Sequence, residues 1–182
     1  LTNKFIKEFK IDSSKVDYIG LSGQTVMHKP DMKISIQLGS GKFLSQNLKI
    51  NIVSNFRQND ILNGGQGAPI GAFYHQYLSN KLKKKVLFIN LGGIANISYT
   101  SKDKLIAFDT GPANVLIDEF MWIRLKKHLD VNGNLSSKGK LDHKLLYEFL
   151  NNEYFKKNYP KSLDREYFSF FLKKTEKLSN ED

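Results

Sequence analysis

Residues 86–112 read VLFINLGGIANISYTSKDKLIAFDTGP, and this stretch decides the fold class. Three apolar segments within it, Val86–Leu91, Ile94–Thr100 and Leu105–Phe108, have the alternation and β-branched content of strands. The Gly92-Gly93 pair between the first two segments predicts a tight hairpin turn. The stretch therefore predicts three consecutive strands, the last of which runs into the polar sequence DTGP.

The flanking sequence predicts a mixture of strands and amphipathic helices. The predicted strands are Val16–Ser22, Ile34–Leu38 and Ile50–Val53, and the predicted helices are Ala72–Leu82, Asn114–Leu129, Leu141–Leu150 and Arg165–Leu178. The polar tail Ser179–Asp182 is predicted to be frayed. This order predicts an α/β fold with a mixed sheet. The charged segment Lys81–Lys85 predicts a boundary, with residues 1–82 in one part of the chain and 83–182 in the other.

The composition is compatible with folding and excludes several classes of protein. The 182 residues are 40% hydrophobic and 25% charged, which excludes collagen-like and fully disordered chains. Cysteine is absent, so disulfides, zinc–thiolate sites and a cysteine nucleophile are excluded. No apolar run reaches the length of about 18 residues that a membrane helix needs. The N-terminus has no apolar signal segment. These features predict a cytoplasmic location without membrane contact.

The formal net charge of +10 is one signature of nucleic-acid binding. The 28 basic residues are nearly all lysines, however, since only Arg57, Arg124 and Arg165 are arginines. They are scattered along the chain and do not form a basic stripe interleaved with aromatic residues. A solvated, lysine-rich surface is therefore the favoured interpretation, and a basic nucleic-acid-binding module is the less favoured alternative.

Asp109 is the carboxylate most suited to catalysis, because it ends an apolar strand where ligands bind in open α/β sheets. A carboxylate there can orient or deprotonate a nucleophile during phosphoryl transfer. The alternative is that Asp109 caps a turn or the helix that follows it.

Glycine-rich turns follow strand-like segments at residues 64–67, at 92–93 and at Gly111. Glycine permits a positive φ and a close backbone approach, and exposed amides in such turns can hold phosphate oxygens. Each of these glycines alone is equally compatible with an ordinary turn. Together, the hairpin and the third strand ending in Asp-x-Gly resemble half of an actin-like nucleotide-binding domain.

Five motifs are similar to those of one family and occur in the same order. They are SGQTVMHKP at 22–30, NFRQNDI with GGQGAP at 55–69, NLGGIANI at 90–97, FDTGPAN at 108–114 and YPKSLDREYF at 159–168. This series resembles the anhydro-N-acetylmuramic acid kinase family. The resemblance implies the sugar kinase/Hsp70/actin superfamily, with actin-like ATPase (ribonuclease H-like) mixed sheets and parts of two lobes in this chain.

The resemblance also implies a reaction. Family members open the 1,6-anhydro ring of their sugar with water and phosphorylate O6 from ATP. The product is N-acetylmuramic acid 6-phosphate, and the pathway is peptidoglycan recycling. Asp109 would be the general base for the water, ATP would act with Mg²⁺, and the enzyme could form a homodimer.

Residue by residue, the resemblance implies two sets of binding groups and no protein metal ligand. The nucleotide set is Asn90, Gly92, Gly93, Asn96 and Gly111. The sugar set is Gln24, Thr25, Arg57, Asp60, Gly65, Gln66, Gly67 and Asn114. Lys161 and Arg165 match the KSTGRE segment of the family, to which no role is assigned.

The chain departs from the family pattern at Ser22, Asn55, Asn59, Ala113 and the pair Leu163-Asp164. The family's N-terminal phosphate loop and C-terminal adenosine motif are expected to lie outside residues 1–182, so the chain resembles the middle half of the kinase. The alternative to an active kinase is a non-catalytic remnant of one.

Overall fold

The computed structural model describes all residues from Leu1 to Asp182, and the chain forms two compact units, Leu1–Gly67 and Ala68–Asp182. The first unit contains strands β1 (Tyr18–Leu21), β2 (Gln24–Lys29), β3 (Ile34–Leu38) and β4 (Asn51–Ser54), with helices α1 (Thr2–Glu8), α2 (Gly41–Leu48) and α3 (Gln58–Leu62). Strand β1 pairs with β4 in parallel, and β2 pairs with β3 antiparallel. Gly23 links β1 to β2 with a φ of +66°, and a Cβ there would lie 2.6 Å from the carbonyl oxygen of Leu38.

The second unit is built on an antiparallel sheet of three consecutive strands, in the order β5-β6-β7. The strands are β5 (Val86–Leu91), β6 (Ile94–Ser101) and β7 (Lys104–Pro112). The helices are α4 (Ala72–Leu82), α5 (Asn114–Leu125), α6 (His143–Leu150), α7 (Glu153–Lys156) and α8 (Phe170–Lys174). The hairpin and third strand predicted from residues 86–112 are thus confirmed. None of the helices combines the length and apolarity needed to cross a membrane.

Helix α4 packs on β6 and β7 of this sheet. Its His75 ring stacks on Phe88 with the ring centroids 4.2 Å apart. The Ser79 hydroxyl, which is fully buried, donates to the carbonyl of Lys84. The compact units divide after Gly67, so α4 belongs to the second unit. The lobe boundary after residue 82 is a different division and stays a prediction.

The main core of the second unit is aromatic. Tyr154, Leu163, Phe168 and Phe171 are buried together, and the side chains packed around them are Ile94, Leu116, Leu145, Phe149 and Phe155. This core joins the sheet to the three C-terminal helices, because Ile94 at the start of β6 and Leu116 on α5 pack against residues 154–171.

Several predicted helix bounds are wrong. Helix α5 ends at Leu125 rather than Leu129, because Lys126 adopts a left-handed conformation with a φ of 56°. The helix predicted over 165–178 is only Phe170–Lys174, since turns occupy 165–169. The tail Ser179–Asp182 has no helix or strand, and its Asn180 side chain accepts a hydrogen bond from Arg124, so its fraying stays a prediction.

Candidate active site

Asp109 lies near the end of β7 and is only 6% exposed. Its backbone N–H donates to the carbonyl of Lys161 at 3.1 Å, and its own carbonyl accepts the Tyr154 hydroxyl at 2.7 Å. Its carboxylate Oδ2 accepts the amide N–H of Leu163 at 2.9 Å. The segment that contacts Asp109 is therefore residues 154–163, far along the chain, and not the helix that follows β7.

Tyr154 and Lys161 both bind the backbone of Asp109, and they also contact each other. The Lys161 ammonium donates to the Tyr154 carbonyl at 3.0 Å and lies 4.6 Å from the centre of the Tyr154 ring. Burial, and secondly the charge of Asp109, raise the pKa of the Tyr154 hydroxyl. Burial, and secondly the charge of Lys157, lower the pKa of Lys161. Tyr154 therefore stays a hydroxyl donor throughout the physiological range.

A row of polar residues crosses the sheet beside the Gly92-Gly93 turn. Asn90 on β5 faces Asn96 on β6, and Asn96 faces Asp109 on β7. Directly opposed residues of antiparallel strands project from the same face with Cβ atoms about 5 Å apart. The row therefore brings two amides and one carboxylate together on one face of the sheet.

A bulge in β7 sets this alignment. Ala95 faces Gly111 while the next residue, Asn96, faces Asp109, so Thr110 is an extra residue in β7. The Thr110 hydroxyl donates to the Ala95 carbonyl at 3.2 Å. Bulges re-aim side chains next to functional sites. Here the bulge lets Asp109 rather than Thr110 face Asn96.

The Gly92-Gly93 turn holds the N-terminus of α5. The carbonyl of Gly93 accepts the amides of Ala113 and Val115, and the carbonyl of Gly92 accepts the amide of Asn114. The Asn114 side chain donates to the carbonyl of Leu91 at 3.2 Å. The first amides of α5 are thus used within the protein, and Asn114 connects the helix to the turn.

The glycines at the predicted strand ends differ in conformation. None of Gly92, Gly93 and Gly111 has a positive φ, whereas Gly64 and Gly67 in the first unit do. Gly111 is required by packing instead, because a Cβ there would lie 2.9 Å from the Phe155 ring. Glycine permits a left-handed backbone, but these three positions do not use it.

In the first unit, Arg57 and Asp60 hold the glycine loop in shape. The Arg57 guanidinium donates to the carbonyl of Gly67 at 2.8 Å, and the Asp60 carboxylate accepts the amide of Gly67 at 2.6 Å. The amide of Gly65 donates to the backbone carbonyl of Asp60 at 2.8 Å. A Cβ on Gly65 would collide with the Asp60 carboxylate. The structure thus brings these four residues together in one loop, with Gln66 inside it.

Gln24 and Thr25 lie outside this loop, on β2. The Gln24 side chain is exposed, and Thr25 is half-buried and accepts a weak hydrogen bond from Gln37 at 3.4 Å. His28 on the same strand is buried, with its Nδ1 3.0 Å from the Ser35 hydroxyl.

The comparisons with known proteins identify the family. The family model for anhydro-N-acetylmuramic acid kinases matches residues 1–181. The chain belongs to the anhydro-N-acetylmuramic acid kinase family. An anhydro-N-acetylmuramic acid kinase from Rhodopseudomonas palustris is 41% identical over 168 residues, which is 91% of this chain and 46% of the relative. A second, from Methylobacterium nodulans, is 40% identical over 181 residues, 98% of this chain and 48% of the relative. The chain therefore spans about half the length of the curated relatives it matches.

One departure from the kinase family pattern occurs where the backbone tolerates it. Asn55 has a φ of 59°, and asparagine, like the aspartate of the family motif, is among the residues that most readily adopt this conformation. Ala113, where the family motif has glycine, has a φ of −120° and a ψ of −106°, outside the main β and right-handed α regions. Asn59 is exposed and accepts hydrogen bonds from the Asn63 side chain.

The departure at Leu163-Asp164 is also accommodated. Leu163 buries its side chain in the aromatic core while its backbone amide binds Asp109. The Asp164 side chain accepts the amide of Glu166 at 2.9 Å. Since the contact with Asp109 uses only the backbone, replacing the threonine of the kinase motif leaves the donor in place.

Sequence reasoning selected Asp109 but missed the residues around it. Lys161 and Leu163 lie in the motif YPKSLDREYF, to which no role is assigned, and Tyr154 lies in no motif. The only sequence signal for Tyr154 is its position just before the YPKS segment.

Proposed function

We propose that this chain is the central part of an anhydro-N-acetylmuramic acid kinase in which Asp109 is the general base. The observation that carries the proposal is a buried carboxylate at the end of β7, in a polar row beside a glycine turn, within a chain of this kinase family.

In the proposed reaction, the Asp109 carboxylate removes a proton from a water molecule. The water oxygen forms a bond to the anomeric carbon of the 1,6-anhydro sugar, and the bond from that carbon to O6 breaks. O6 takes the γ-phosphoryl group of ATP, giving the 6-phosphate and ADP, and Asp109 releases its proton afterwards. A positioned base of this kind contributes about 10²–10⁴-fold to the rate.

We assign the nucleotide to the second unit, whose sheet we take as part of an actin-like ATPase domain. Asn90 and Asn96 offer side-chain amides toward phosphate oxygens, and the small residues Gly92 and Gly93 leave the adjacent turn open to close approach. Gly111 lets β7 pack tightly on Phe155 and so supports the site indirectly. Asn114 acts through the turn that it binds.

We assign the sugar to the residues of the first unit. Gln24 and Thr25 on β2 and Gln66 in the glycine loop offer hydrogen-bonding groups. Arg57 and Asp60 shape that loop through their bonds to Gly67. Gly65 has no room for a side chain.

For the magnesium ion that such ATP chemistry implies, the chain has no group of three or more His, Asp or Glu side chains that could hold a metal. A cytoplasmic location stays a prediction from the sequence, a homodimer rests on the family resemblance alone, and the absence of nucleic-acid binding also stays a prediction.

A segment exchange tests the proposal. This chain replaces the matching 168-residue segment of the Rhodopseudomonas palustris relative, and ATP-dependent opening of the anhydro sugar is measured. We expect the folded chimera to turn over and Asp109→Asn to lower kcat by about 10²–10⁴-fold. The matched control is Asp103→Asn, which changes an exposed aspartate between β6 and β7. A folded but inactive chimera, or an Asp109→Asn rate within tenfold of the parent, would refute the proposal.

A further inference from the structure

Asp109 is held by the segment of residues 154–163, to which no role has been assigned. Tyr154 and Leu163 lie 45 and 54 residues further along the chain, yet both bind Asp109 directly. With the bond from the Asp109 amide to Lys161, the segment contacts the amide, the carbonyl and the carboxylate of the same residue.

We propose that Tyr154 and the backbone amide of Leu163 are positioning groups that keep the Asp109 carboxylate ionised and fixed in direction. The inference rests on the proposed function, in which Asp109 is the base. It adds two groups that act through Asp109 and do not touch the substrate.

The Leu163 amide acts on the carboxylate itself. It donates to Oδ2 at 2.9 Å in a buried environment, where an unpaired charge is costly. A hydrogen bond to the charged form of an acid favours that form. The amide therefore offsets part of the cost of burying Asp109 as a carboxylate.

Tyr154 acts on the backbone of Asp109. Its hydroxyl donates at 2.7 Å to the Asp109 carbonyl, next to the bulge that aligns Asp109 with Asn96. This bond fixes the peptide group between Asp109 and Thr110, the extra residue of the bulge. Losing it would remove the bond that fixes this carbonyl, while the bonds of the Asp109 amide to Lys161 and of its carboxylate to Leu163 remain.

Tyr154 is itself enclosed by other side chains. It is 2% exposed, and its ring lies at an edge-to-face angle to Phe168, with the centroids 6.0 Å apart. The Lys161 ammonium binds its carbonyl and lies over its ring. A tyrosine that only filled the core would need its ring alone, whereas the Tyr154 hydroxyl also donates a hydrogen bond to the Asp109 carbonyl.

The test uses two independent variants of the 182-residue chain and follows Asp109 by NMR, without any need for turnover. In the first, an amide-to-ester replacement at Leu163 removes the N–H donor and keeps the leucine side chain. We expect the titration midpoint of the Asp109 carboxyl carbon to move to higher pH, because the ionised form loses a donor. The matched control is the same replacement at Leu145, whose amide donates at 2.9 Å to a different carboxylate, that of Asp142.

In the second variant, Tyr154→Phe, we expect hydrogen exchange at the Leu163 amide to become about tenfold faster, since about this much protection follows from one hydrogen bond. The matched control is Tyr167→Phe. The Tyr167 ring contacts those of Tyr154 and Phe168 at the edge of the core, and its hydroxyl donates to Asn152 and not to Asp109. A midpoint that stays or falls in the Leu163 ester, or unchanged Leu163 exchange in Tyr154→Phe, overturns the inference. Because neither measurement depends on catalysis, loss of the base role in the chimera would be a separate result.

Discussion

Replacing Phe168 with alanine should lower the stability of the second unit and weaken the contacts of residues 154–163 with Asp109. Phe168 is 1% exposed, and its ring centroid lies 5.2 Å from that of Phe149 and 5.5 Å from that of Phe155. It also contacts Tyr154, which binds Asp109. The substitution thus removes the centre of the aromatic core on which residues 154–163 rest.

The magnitude follows from burial. Truncation of a fully buried phenylalanine to alanine costs about 3–5 kcal/mol, the spread depending on how far the neighbours collapse into the cavity. This range is a total that already includes the loss of aromatic pairs, each worth about 0.5–1.5 kcal/mol beyond area burial. We therefore expect a loss in the middle of the range, about 4 kcal/mol. At a urea dependence of about 2 kcal/mol per molar, the unfolding midpoint should fall by about 2 M.

Urea titration followed by tryptophan fluorescence measures this change, because the single tryptophan, Trp122, lies on α5 of the same unit. Phe73→Ala is the control: Phe73 is 72% exposed on α4, and such surface changes stay within about 0.5 kcal/mol. Two results would refute the reasoning. One is a midpoint that falls no further in Phe168→Ala than in Phe73→Ala. The other is a Leu163 amide that keeps its exchange protection in Phe168→Ala.

Two further predictions concern the glycine loop and alkaline stability. Gly65→Ala forces the Asp60 carboxylate away from the Gly67 amide, so exchange of that amide should become about tenfold faster, while Gly71→Ala, whose Cβ has ordinary room, should not change it. An unchanged Gly67 amide would show that the loop holds its shape without Asp60. For Tyr154, burial and the Asp109 charge raise the pKa, so the folded chain keeps a proton that the unfolded chain releases above about pH 10. The resulting stability is present below that pH and is lost as the pH rises above it. Urea midpoints between about pH 9 and 11 should therefore fall less steeply in Tyr154→Phe than in the parent, and equal slopes would contradict the assignment.

The elements that the sequence predicts well are those with a strong local pattern. β3, β5 and α4 have the predicted bounds, since alternation or helical spacing is complete within each segment. Strand β2 was missed because its apolar residues, Val26 and Met27, are both exposed, so no buried face marks it. Its extended form comes from pairing with β3, and pairing partners are not visible in a local pattern.

The same division between local and distant information applies to the site. Asp109 was predictable because its position after an apolar strand is a local feature. Its partners were not, because the contacts arise where residues 154–163 fold back onto β7. Arg57 and Asp60 differ again, since their motif predicts sugar contacts, which stays a prediction, and gives no local sign of their hydrogen bonds to Gly67 in the adjacent loop.

The chemistry of the Asp109 contacts explains why a motif comparison understates the site. The donor to the carboxylate is a main-chain amide, which every residue except proline supplies. The identity of residue 163 is therefore free to follow the packing of the aromatic core, and leucine can stand where the family motif has threonine without changing the donor. Tyr154 differs, because only its side-chain hydroxyl reaches the Asp109 carbonyl. Tyr154, which acts through its side chain, lies outside every motif. Leu163 lies inside a motif but acts through its backbone amide. Departures from the motif at residue 163 are consequently weak evidence about catalysis, whereas a change at Tyr154 would be strong evidence.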